Sequence, residues 1–126
     1  MKTDKLLSYI DAFSDASILV CGDLILDHYI WGSVDRVSPE APVLVVQTNE
    51  ESQRPGGAGN VVNNLCQLGA KVSVTGVLGD DDSGKALIAE FKNLGADVSG
   101  ILTDSARPTS VKTRAVSYTH LTLPTK

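Results

Sequence analysis

Apolar residues along this 126-residue chain change their spacing several times, and each change marks an element. Leu6, Leu7, Ile10 and Phe13 recur at helical spacing, which predicts an amphipathic helix over residues 3–13. From Ser17 to Leu26 the pattern becomes a continuous apolar run, SILVCGDLIL, broken only by Gly22 and Asp23. That run reads as a buried parallel strand ending in a turn, because a strand covered on both faces shows no polar alternation. The next segment, HYIWGSVDRVSPEAPVLVVQTNEESQRP, mixes β-prone residues with Gly32, Pro39, Pro42 and Pro55. Proline cannot donate to a sheet ladder, so this segment predicts short edge strands projecting as a β-flap.

Beyond the flap, RPGGAGNVVNNL (Arg54 to Leu65) opens a second helix that stops at Gly69, a residue suited to a helix C-terminus. KVSVTGVLG, Lys71 to Gly79, predicts a second buried strand. DDDSGKALIAEFKNLGA then begins with aspartates fit for an N-cap, places Leu87, Ile88, Phe91 and Leu94 on one face, and stops at Gly95. DVSGILT and TSVKTRA read as two further strands. Strands alternating with helices imply an α/β fold with a mostly parallel sheet. No internal repeat or low-complexity segment is present.

Composition mainly excludes. A net charge of −4 gives no electrostatic reason to expect nucleic acid or an anionic membrane as partner. No apolar run approaches the roughly 20 residues that span a bilayer. The opening MKTDKLLSYIDAF carries Asp4 and Asp11 and lacks a small-residue cleavage site, so a signal peptide is not expected and a cytoplasmic location is. Cys21 and Cys66 match no metal-ligand spacing and are expected to be two buried thiols. No metal site is predicted.

The tail VSYTHLTLPTK fits nothing before it and resembles a translated sequencing adaptor of the transposon-derived kind. The likeness runs from Val116 to Thr125, and Ala115 stands where the adaptor frame supplies the end of an alanine codon. Residues 1–115 are therefore expected to be native, interrupted near Arg114, and residues 116–126 not. Tyr118 and His120 then carry no functional weight.

The glycine loop admits three readings. A dinucleotide fingerprint needs G-x-G-x-x-G directly after a strand; GGAGNVV lacks the third glycine and follows a proline-rich segment. A P-loop needs a Gly-Lys-Ser/Thr ending, which is absent. The third is a sugar-binding turn: adjacent glycines bring main chain close to ligand hydroxyls, and Asn60 offers both a donor and an acceptor to a vicinal pair. The dipole of the following helix points its positive end at the same place. A plain helix-starting turn would use the same residues.

Two blocks carry a resemblance. Gly56, Gly57, Ala58, Asn60, Gly69 and Gly79 fall as in the N-terminal signature of the ribokinase-like (PfkB) carbohydrate kinases. Val62 departs from it, standing where that family usually has Ser, Thr or Ala. The segment GDLILDHYIWGSVDRVSPEAPVLVV, Gly22 to Val46, is similar to the heptose-7-phosphate kinase branch, and RPGGAGN, VLGDDDSG and RPTSVKTR continue the likeness over nearly all of residues 15 to 114.

The resemblance implies a ribokinase-like α/β sandwich with a β-lid at about residues 28–48. It places Asp27 at the family's sugar-hydroxyl acceptor, where a carboxylate accepts two hydroxyl donors. Gly56, Gly57 and Asn60 line the same pocket. Asp23 either joins them or caps a turn, Arg36 and Glu40 either reach substrate from the lid or stay on the surface, and Asp27 alone could be a solvated turn residue. The implied reaction moves the γ-phosphoryl group of ATP, with Mg²⁺, to the anomeric oxygen of D-glycero-β-D-manno-heptose 7-phosphate. In this family the catalytic base lies in a later Gly-Ala-Gly-Asp segment and the ATP pocket on later strands, so no catalytic residue is expected here. The chain alone is expected to be inactive and to bind ATP and Mg²⁺ poorly. The longer protein is expected to bind a sugar phosphate and to pair as a homodimer through the lid. Other sugar kinases of the family, or a sugar-binding or oligomerisation module without chemistry, are the rival readings.

Overall fold

The computed structural model describes residues 3–117. The elements are α1 (Thr3–Asp11), followed by a 3₁₀ turn at Ala12–Asp15, then β1 (Ser17–Cys21), β2 (Leu24–Val37), β3 (Leu44–Gly57), α2 (Ala58–Gln67), β4 (Lys71–Gly79), α3 (Asp82–Asn93), β5 (Asp97–Asp104) and β6 (Ser110–Ser117). They divide into two compact units. One holds the described residues up to Leu26 with Arg54–Val111, the other Asp27–Gln53 with the described residues from Lys112 onward.

The first unit is built on a three-stranded parallel sheet of order β1-β4-β5. Register pairs Ile18 with Val72 and Val20 with Val74, so β-branched residues of neighbouring strands stack on one face. Helices α2 and α3 pack against the sheet and against each other. Their apolar stripes supply Val62, Leu87 and Phe91, which close a core with Val20, Leu24, Val72, Val74 and Leu78. Val62, the departure from the family signature, is fully buried there.

The opposite sheet face is open, with Leu19 67% and Leu102 65% exposed. This corrects two expectations. β1 is an edge strand covered on one face, not buried on both, and Cys21 on its open side is exposed while Cys66 is only half-buried. Burial still pushes the Cys66 thiol pKa up. Helix α1 buries none of its residues.

The second unit lies within a three-stranded sheet of order β3-β2-β6. The connection from Val37 to Leu44 is too short for a parallel crossover, so β2 and β3 run antiparallel. Contacts agree: His28 meets Glu51 at 2.9 Å, and Gly32, four residues on, backs onto the Gln47 carbonyl, four residues earlier. Each strand is 14 residues long, so the short strands expected here are corrected. β2 is also the central strand rather than an edge. Pro39 and Pro42 fall in the connection and Pro55 on edge strand β3, leaving β2 free of proline. Of the tail expected to be foreign, Val116 and Ser117 end β6 and the remainder lies outside the described residues.

Candidate functional site

In the first unit the glycine loop is tied to the end of β1. Gly57 adopts φ 57°, and a Cβ there would stand 2.5 Å from the Asp23 carbonyl oxygen. Only glycine satisfies both conditions. The Asp23 carbonyl accepts the Ala58 N–H at 2.8 Å, satisfying one of the free donors at the start of α2. Asp23 therefore acts first through its main chain. Its exposed side chain lines a cavity of about 160 Å³ together with Gly22, Gly76, Arg107 and Ser110. Gly56 is buried beneath the loop and Asn60, the third residue of α2, is exposed. The structure thus brings Asp23 and the glycine pair together, with Asn60 one turn away.

A second carboxylate, Asp81, sits at the start of α3. Asp81 caps the helix, its Oδ1 accepting the Gly84 N–H at 2.8 Å, while Oδ2 accepts the Thr109 N–H at 2.8 Å. The buried Thr109 hydroxyl in turn accepts the Gly79 N–H at 2.9 Å. The Thr109 main chain, followed by its hydroxyl and the Gly84 N–H, holds the Asp81 carboxyl below the usual carboxylate range. The sequence offered Asp81 as a cap but gave no sign of Thr109, which arrives from the segment before β6.

In the second unit Asp27 lies on β2, and Arg114 on the neighbouring strand β6 donates from Nη1 to its Oδ1 at 2.7 Å. The guanidinium also stands over the Tyr29 ring, 5.4 Å from its centroid. Arg114 was not singled out from sequence as a partner of Asp27; residues 87 apart in the chain leave no local signal of pairing. Of the two flap residues, Arg36 lines an open hollow with Asp35, Val45 and Gln47, and the Glu40 N–H donates to the Ser38 hydroxyl at 3.2 Å. Both are exposed. Among the described residues no group of three or more His, Cys, Asp or Glu is placed to hold a metal, and no helix is long and apolar enough to cross a membrane.

Known proteins are similar to this chain. The Bifunctional protein HldE of Pelobacter propionicus is 50% identical over 117 residues, covering 93% of this chain and 24% of that protein. The protein of the same name from Campylobacter curvus is 56% identical over 100 residues, covering 79% of this chain and 21% of that protein. The chain thus spans about a quarter of the length of the curated relatives it matches. The crystal structure of ribokinase from Cryptococcus neoformans in complex with ADP superposes with a TM-score of 0.61 at 19% identity, covering 82% of this chain and 31% of that one. The α/β fold is therefore ribokinase-like, as expected. The sequence pattern of the pfkB family carbohydrate kinases matches residues 15–123. This chain belongs to the pfkB family of carbohydrate kinases.

Proposed function

We propose that the protein carrying this chain transfers the γ-phosphoryl group of ATP to the anomeric oxygen of D-glycero-β-D-manno-heptose 7-phosphate, toward the ADP-heptose of lipopolysaccharide core. The observation that carries the reading is 50% identity to a protein named HldE across 93% of the chain, within a carbohydrate kinase family. Asp27 is assigned to accept sugar hydroxyls, and Asn60 to a vicinal pair. The bare main chain of Gly56 and Gly57 approaches the sugar, with Asp23 holding their loop.

The β2–β3 hairpin is assigned the role of lid and of dimer contact. Closing such a lid excludes water that would otherwise accept the phosphoryl group. Among the described residues the glycine loop lacks a Lys-Ser/Thr ending, and no group of three or more His, Cys, Asp or Glu is placed to hold a metal. Base, anion hole and nucleotide site are assigned to the remainder of the longer protein, in the cytoplasm, and residues 116–126 to the adaptor. Alone, the chain is assigned no turnover.

A substrate panel on the full-length protein tests the reading. Highest kcat/KM on heptose 7-phosphate is expected, and preference for fructose or ribose would replace the substrate while keeping the family. Titration of the 126-residue chain with sugar separates the module reading, which alone predicts tight binding without the remainder.

A further inference from the structure

Alternate residues of a strand share a face, so Asp27, Tyr29 and Trp31 project from one side of β2. The Tyr29 and Trp31 rings stack with centroids 6.4 Å apart and planes 19° apart. Arg114 joins the same side from β6. Its Nη1 reaches Asp27 Oδ1 at 2.7 Å and the Tyr29 hydroxyl at 3.5 Å, and its guanidinium lies against the Tyr29 ring. One face thus gathers a carboxylate, a guanidinium and two stacked aromatic rings, the groups that suit the hydroxyls and C–H faces of a polyol.

An exposed ion pair contributes little to stability, because holding two long side chains costs entropy and water screens the charges. This pair differs in how it is held. The Asp27 side chain is 20% exposed and that of Arg114 39%, and the guanidinium is flanked by the Tyr29 ring, 5.4 Å from its centroid. A carboxylate on a strand otherwise rotates about χ1 and χ2. Anchoring Oδ1 restrains both angles and engages one of the two carboxylate oxygens.

We propose that Arg114 is the positioning residue of Asp27, fixing the carboxylate so that Oδ2 accepts polyol hydroxyls, with Tyr29 as the platform that sets the guanidinium plane. This rests on the sugar-kinase reading above and names the residue on which its sugar contact depends. Lysine is a poor substitute, since an ammonium lacks the planar fork and stacks less well on the ring.

The test uses the full-length kinase and separate KM values for sugar and ATP. Asp27→Asn is expected to raise the sugar KM about ten-fold or more. Arg114→Met is expected to raise it about ten-fold while ATP KM and kcat stay near wild type, and Arg114→Lys to fall between. Combining Asp27→Asn with Arg114→Met is expected to be no worse than Asp27→Asn alone, because a positioning residue has nothing left to position. An unchanged sugar KM in Arg114→Met, with Asp27→Asn impaired, overturns the positioning role and leaves the kinase reading intact. Parallel losses in both KM values together with a lowered Tm overturn it too, as a structural effect. If Arg114→Met does not fold, an unchanged sugar KM in Arg114→Lys has the same force. If Asp27→Asn itself keeps the wild-type sugar KM, the assignment of Asp27 to the sugar and the positioning role of Arg114 both fall, and the substrate panel alone decides the kinase reading.

Discussion

Two aspartates in this chain have opposite environments. Asp81, at the start of α3, has both oxygens taken up by main-chain N–H groups, from Gly84 and from Thr109. Asp27, on β2, spends one oxygen on Arg114 and stands on a face with two aromatic rings. A carboxylate satisfied by its own backbone is a staple, and its removal is felt as lost stability. One that engages a single oxygen, on a half-buried face, still has an acceptor to offer a ligand. The difference teaches which aspartate to assign to structure and which to chemistry.

The contrast is broken most forcefully at Gly84. A Cβ there meets the Gly79 carbonyl oxygen and stands 2.8 Å from the hydroxyl of Thr109, the residue whose N–H donates to Asp81. Gly84→Ala is expected to cost about 2–3 kcal/mol in urea denaturation, since backbone rather than a flexible side chain must give way. Thr109→Val keeps the shape but leaves the Gly79 N–H without its acceptor in a buried place. A loss of about 1–3 kcal/mol is expected by the same measurement.

Asp81→Asn sharpens the contrast through pH. The folded carboxyl titrates below its unfolded value of about 3.9, so its stabilisation is fully present above that pH and is lost as pH falls through the folded value. The variant is expected to be less stable at neutral pH and to lose less on acidification below about pH 4. Stability measured against pH with and without the substitution checks both limbs; parallel curves would remove Asp81 from the staple.

Much of the first unit was legible in the sequence. α3 announces itself by Asp81, an apolar stripe through Leu87 and Phe91, and Gly95 at φ 84°. The glycine loop was legible for a similar reason, because positive φ and close approach leave few residue choices. Legibility failed where neighbours come from far along the chain. The prolines around β2 suggested edge strands, but they sit in the connection and on β3, so a local count misplaced the central strand. Burial of Cys21 was expected from its apolar run, yet a run cannot say which face another element covers. Arg114 and Thr109 became visible only through contacts made across 87 and 28 residues.

The most direct measurement of the sugar-binding assignment is heptose 7-phosphate affinity and turnover of the full-length protein with Asp27→Asn and Asn60→Ala combined. Loss of sugar affinity by about a hundred-fold, with ATP affinity and thermal stability close to wild type, is the predicted result. Wild-type affinity and turnover in that double variant would contradict it.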